Sequence, residues 1–130
     1  MGALTEIAGS SDVVDRGFVT YTNRAKMELI NVPGEVIRDF GAVSEPCAYA
    51  MAEGALKKSA ASLSLSVTGI AGPGGGTAEK PVGLVHMALA RREGPTLSEK
   101  HLFGDIGRTK VREATVIAAL KFFQKTLLIK

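Results

Sequence analysis

The chain has 130 residues, 45% of them hydrophobic and 22% charged, with a net charge of +3. That is enough for one hydrophobic core and too little for two. Aromatics at 5% with no Trp argue against a base-stacking platform, and no Lys/Arg run exceeds two residues, so nucleic acid is not an expected partner. No apolar run approaches a membrane span and the start lacks a basic-then-apolar leader pattern, so no membrane association is expected. The single cysteine, Cys47, cannot form an internal disulfide; with two distant histidines, no metal site is expected, and the location expected is cytoplasmic.

Ala3 to Ile7 reads as the tail of a helix closed by Gly9-Ser10-Ser11. Arg16 to Tyr21 reads as a strand. Thr22 can cap a short helix over Asn23 to Ile30, which Asn31-Val32-Pro33 stops. A second short helix, Gly34 to Phe40, ends at Gly41. Ser44 suits the N-cap of a helix over Glu45 to Ser59, with Pro46 in the first turn, where a missing N–H costs nothing. Leu63, Leu65 and Val67 alternate with Ser64, Ser66 and Thr68, the period of a strand. Val82 to Ala90 and Leu97 to Phe103 pair as a hairpin through Glu93-Gly94-Pro95, and Asp105 caps a final helix from about Ile106 to Leu128. The expected fold class is α/β: a layered α/β/α domain on a mixed, mainly parallel sheet.

Between Thr68 and Val82 lies the glycine-rich connection Gly69-Ile70-Ala71-Gly72-Pro73-Gly74-Gly75-Gly76-Thr77-Ala78-Glu79-Lys80-Pro81. Few side chains there can pack, but backbone N–H groups can approach an anion or a flat ligand closely. A mobile surface loop is the alternative. A P-loop is excluded, because no Lys-Ser or Lys-Thr follows the glycines and the next element is a strand. A dinucleotide fingerprint fails because Gly72-Pro73-Gly74 does not open a helix.

On a helical wheel the last helix places Lys110, Glu113, Lys121, Gln124 and Lys125 on one polar stripe. Arg108 and Arg112 fall roughly opposite, among Val111, Thr115, Ala119, Phe122 and Phe123. Inward guanidinium groups need a phosphate or carboxylate; structural ion pairs or snorkelling are the alternatives. Lys26 falls among Ala25, Leu29 and Ile30, and a lysine held against apolar surface can act as a base, with Tyr21 near enough in sequence to share the site. An exposed lysine and a core tyrosine are the alternatives. Cys47 and His86 read as packing residues. Thr68, at the mouth of the loop, is the strand hydroxyl best placed for a ligand.

The run VTGIAGPGGGTAEKPVG, with Val-Thr-Tyr-Thr-Asn-Arg-Ala-Lys upstream and Gly-Arg-Thr-Lys-Val-Arg downstream, resembles the C-terminal domain of the CinA competence/damage-inducible family. The similarity runs from Ala3 to the last helix. It implies a nicotinamide mononucleotide deamidase: an amidase releasing ammonia and leaving nicotinate mononucleotide, without metal or cofactor, in pyridine nucleotide recycling. It also implies a serine nucleophile, with Lys26 as base and Tyr21 supporting. Thr68 and Gly69, together with Gly72 and Gly74 of the loop, would contact the substrate, and Arg108 and Arg112 its phosphate. A homodimer is a further implication. The family's serine lies in a Glu-Ser-Cys-Thr-Gly-Gly segment that does not occur here. The expectation is therefore one CinA C-terminal-like domain over residues 1–130, lacking the family's first strand and the start of its first helix, with impaired amidase activity. Ser10 and Ser11 match the turn after that helix, not the nucleophile. A non-catalytic pyridine-nucleotide-binding or regulatory module is the alternative.

Overall fold

The early elements follow their caps. In the computed structural model, which describes residues 1–128, α1 covers Gly2–Thr5 and a single 3-10 turn follows at Ser10–Asp12. The Thr22 side chain accepts from the Ala25 N–H and opens α2, Asn23–Ile30, which ends at Asn31 with φ 55°. Helix α3 covers Gly34–Phe40. The Ser44 side chain accepts from the Cys47 N–H at the start of α4, Glu45–Lys57.

Strands β1 (Leu63–Gly69), β2 (Leu84–Arg91) and β3 (Leu97–Leu102) form a sheet in the order β1-β2-β3, and helix α5 follows over Arg108–Leu127. Both pairings are antiparallel. The α/β class holds, but the mainly parallel sheet does not. A parallel return needs a crossover of a dozen or more residues, usually a helix. The glycine loop carries no helix and the turn from β2 to β3 is tight, so each connection reverses the chain.

The segment expected as a strand, Arg16 to Tyr21, is not one. It runs without helix or strand character, and among the described residues no strand pairs with it. It is pinned at its base, where the Arg16 guanidinium donates to the Lys58 carbonyl at 2.8 Å and the Asp15 carboxylate accepts from the Ala60 N–H at 3.0 Å. That hydrogen bond and the adjacent Arg16 hold the Asp15 carboxyl below its ordinary value.

Helices cover both faces of the sheet. On one face Ala48, Ala52 and Leu56 of α4 pack on Ala88 and Ala90 of β2. Small residues permit a close approach, and the polar half of β1 turns this way too. Ser64 donates to the Ala52 carbonyl, Ser66 to that of Ala48 at 2.6 Å, and Thr68 to that of Ala42 at 2.8 Å. Each of these three hydroxyls thus has a partner. On the other face Val85, Met87 and Leu89 meet Val111 and Phe122 of α5, with Leu63 and Leu65 alongside. A third cluster, Ile30, Val32, Cys47 and Met51 with Phe18, Val36 and Ile37, seats α2 and α3 on the outside of α4.

Helix α5 begins at Arg108 with Gly107 as its N-cap and no side-chain cap, so Asp105 does not serve that role. Its buried side chains are Val111, Phe122 and Thr126, and Arg108 and Arg112 are both exposed. The inward arginines expected from the wheel are not found. The core-facing line is centred on Val111 and Phe122, which leaves Arg112 well to one side of it.

Candidate functional site

Three chain segments meet at the N-terminal end of α4. The first is α2, which carries Lys26. This side chain is only 7% exposed, and its Nζ donates to the Thr20 carbonyl at 3.0 Å. Amphipathic spacing turned this lysine inward, as its place among Ala25, Leu29 and Ile30 implied. Tyr21 is 83% exposed, so the structure does not bring its ring onto a buried Lys26.

The second segment is the turn from Gly41 to Ser44. It is clasped from three sides: Thr68 Oγ1 donates to the Ala42 carbonyl, Ser44 Oγ to that of Gly41 at 2.7 Å, and Lys80 Nζ to that of Phe40 at 2.6 Å. Gly41 has φ 83°, and a Cβ there would lie 2.7 Å from Lys80 Nζ. The positive φ is what favours glycine here, and the missing side chain leaves room for the ammonium that crosses it.

The third segment is the glycine loop. Thr77 and Lys80 close its tip on each other: the Thr77 N–H donates to the Lys80 carbonyl at 2.8 Å and the Lys80 N–H to Thr77 Oγ1 at 3.0 Å. Gly72 is buried with φ 84°, and a Cβ there would meet Val82 at 2.6 Å. Gly69 leaves equally little room, with Val85 at 2.8 Å and the Leu84 carbonyl at 2.9 Å from such an atom. Gly74, by contrast, has open space around it. The loop also roofs a cleft of about 660 Å³ lined by Pro73, Gly75, Val82, Leu102 and Asp105. Arg108 ties the loop to α5 by donating to the Gly72 carbonyl at 2.9 Å. Arg112 makes no hydrogen bond among those of the described residues.

Sheet register completes the site. Thr68 lies opposite His86, and His86 opposite Lys100, so these three side chains form a row on the α4 face. Desolvation holds the His86 imidazole below its ordinary value, with the Lys100 and Lys80 cations adding to the effect and Glu45 opposing it. Burial pushes the Cys47 thiol up, against the opposing pull of Lys26 and Lys80. Cys47 is fully buried with Ile30, Val32 and Met51, the packing position expected of it. His86 is half-buried, also as expected.

Lys80 is the residue that the sequence reading undervalued. It stood out only as one polar group in the loop, because nothing local shows that the loop folds back across the α3–α4 turn. Gly41, a helix terminator by its sequence position, was the sole pointer to a close approach there. Away from this site, Glu99 on β3 binds both His101 Nε2 at 3.0 Å and Lys125 Nζ at 2.7 Å. Among the described residues no group of three or more His, Cys, Asp or Glu side chains is arranged to hold a metal ion.

The CinA C-terminal domain profile matches residues 1–127. The chain belongs to this family. A CinA-like protein of Geotalea daltonii is 48% identical over 127 residues, which span 98% of this chain and 30% of that protein. The chain thus covers about 30% of the length of the curated relatives it matches. Among solved structures, a competence/damage inducible protein of Agrobacterium tumefaciens superposes with a TM-score of 0.94 at 59% identity, over 95% of this chain and 75% of that one. A CinA superfamily protein from Escherichia coli superposes at 0.90 with 30% identity, over 96% of this chain and 72% of that one. No helix among the described residues is long and apolar enough to cross a membrane.

Proposed function

We propose that this chain carries the base and the ligand-binding elements of a nicotinamide-nucleotide amidase, which hydrolyses the carboxamide of nicotinamide mononucleotide to nicotinate mononucleotide and ammonia. One observation carries the reading: Lys26, at the position matching the family's base, is buried and held by a single carbonyl rather than by a carboxylate. An amine in that setting can take the proton of an attacking hydroxyl. Backbone N–H groups of a glycine-rich turn are suited to an oxyanion, and Gly69 and Gly72 stand where the chain passes too close to its neighbours for any side chain.

In this reading residues 1–130 form one CinA C-terminal-like domain without the family's first strand and the start of its first helix. Among the described residues no serine hydroxyl is hydrogen-bonded to Lys26. Ser44 and Ser66 have their hydroxyls engaged by backbone carbonyls. The 130 residues alone then bind the nucleotide and release little or no ammonia. Cytoplasmic recycling of pyridine nucleotides by a homodimer belongs to the same reading.

The second reading, a pyridine-nucleotide-binding or regulatory module, is favoured by the same observation, that among the described residues no serine hydroxyl is hydrogen-bonded to Lys26. Calorimetry with nicotinamide mononucleotide, run beside an ammonia-release assay, separates the two. Ammonia release that disappears in Lys26→Met supports the amidase. Saturable heat without ammonia, from this chain and from a longer protein containing the Glu-Ser-Cys-Thr-Gly-Gly segment, supports the module. No heat and no ammonia from either protein ends both readings.

A further inference from the structure

The basic groups at the head of α4 have too few acidic counterparts. Lys26 and Lys80 each donate to a neutral carbonyl, of Thr20 and of Phe40, and among the described residues neither is ion-paired with a carboxylate. On the α4 face of the sheet His86 stands between Thr68 of β1 and Lys100 of β3. Lys80 reaches this row through the α3–α4 turn: its Nζ holds the Phe40 carbonyl, and Thr68, opposite His86, holds that of Ala42 two residues on. The one carboxylate that acts on His86 is that of Glu45, and it accepts a hydrogen bond from Ser98 Oγ at 3.2 Å, one row further along the sheet.

Elsewhere the chain pairs its charges readily. Asp15 binds Arg16, Glu28 binds Arg24, Asp39 binds Arg38, and Glu99 binds both Lys125 and His101. The half-buried Lys80 ammonium, left with a single carbonyl, keeps donors for a further acceptor, and with Lys100 it holds a positive potential that an arriving anion relieves. Two hydrogen bonds between Thr77 and Lys80 close the loop tip, and Gly41 leaves room for Nζ.

We propose that Lys80, together with His86 and Lys100, forms an oxyanion-binding site at the head of α4 that takes the phosphate monoester or a carboxylate of the ligand. The exposed arginines of α5 are then not the main anion contacts. The site rests on the nucleotide reading only for the identity of the ligand, since simple anions of either class probe it directly.

The test is a titration of the ¹⁵N-labelled chain with inorganic phosphate and, separately, with nicotinate, following backbone amides. Saturable shifts at Gly41, Thr68, Lys80 and His86 are expected with at least one of them. Phosphate alone identifies the phosphate end of a nucleotide as the occupant, and nicotinate alone identifies a carboxylate. Lys80→Met weakens the response about tenfold or more, as loss of a charge-assisted hydrogen bond does, and Lys80→Arg retains most of it. Lys100→Met, a change at an exposed position, provides a second variant should Lys80→Met unfold. Shifts centred on Arg108 to Arg112, shifts unchanged in both methionine variants, or no shift with either anion would overturn the proposal. A chain that binds phosphate here but not nicotinamide mononucleotide keeps the site and loses the nucleotide reading.

Discussion

Gly54 is the position at which one added methyl group should do the most damage. It lies in α4, where alanine is ordinarily better than glycine by about 1 kcal/mol. Here a Cβ would come 2.9 Å from the Ile30 carbonyl carbon and 3.3 Å from its Cβ, with the carbonyl oxygen nearer still. Comfortable carbon–carbon contact begins at about 3.5 Å. The obstacle is the backbone at the end of α2, which cannot rotate away as a side-chain tip can. The carbonyl oxygen sets the shift: the end of α2 must recede by more than about an ångström, and the cluster of Ile30, Val32, Cys47 and Met51 opens with it. Overpacking of a core costs about 1–3 kcal/mol and more where backbone must move. With the helix-propensity gain subtracted, Gly54→Ala should destabilise by about 2 kcal/mol, which lowers the melting temperature by roughly 8 °C for a domain of this size. Circular dichroism melts and urea titrations beside Glu53→Ala, an exposed neighbour, measure the difference. Gly54→Ala melting at or above the parent temperature would refute the backbone-to-backbone contact of α2 and α4 at this point. The consequence for the site is direct, because α2 also holds Lys26.

Thr126 is buried, and among the described residues its hydroxyl has no hydrogen-bond partner. Thr126→Val removes that desolvated group at nearly constant volume, so stability should be unchanged or rise by up to about 1 kcal/mol in a urea titration; a loss of that size would mean that the hydroxyl has a partner. Although desolvation alone raises the Glu99 carboxyl, the hydrogen bonds from Lys125 and His101 outweigh it and hold the group below its ordinary 4.5. A depressed carboxyl contributes stability in full above its unfolded value and loses it as pH falls through the folded one. Melts of Glu99→Gln should therefore depend less on pH below about 4.5 than those of the parent, and identical acid slopes would count against the tie between β3 and α5. The Cys47 thiol, buried and held in its protonated form, should react with a thiol reagent only as fast as the chain opens. Labelling in native buffer at the rate seen in urea would contradict its placement.

The helices were legible because their signals are local. Thr22 and Ser44 cap as their side-chain chemistry requires, and the alternation of Leu63 to Thr68 marks β1. Pairing is nonlocal, and there the reading went astray. Arg16 to Tyr21 has strand composition, yet composition does not say whether a neighbouring strand exists, and none does among the described residues. The antiparallel sheet was within reach, since the loop from Gly69 to Val82 contains no crossover helix. At the site, Lys26 could be read as inward because α2 has one clear apolar side. The wheel of α5 misled because Val116, Ile117 and Leu120 are exposed along it, so its apolar residues do not all mark the core. The clasp of Lys80 across Gly41 links residues forty apart in sequence and leaves no trace in either segment alone.

The account stands or falls on whether a pyridine nucleotide settles against the buried lysine of α2 and the neighbouring glycine loop. A nicotinamide mononucleotide titration followed by amide shifts addresses this directly. Saturable changes are predicted around Lys26, Thr68, Gly69 and Lys80, and their loss in a folded Lys26→Met chain. Changes confined to the groove between β3 and α5, or a footprint untouched by that substitution, would contradict it.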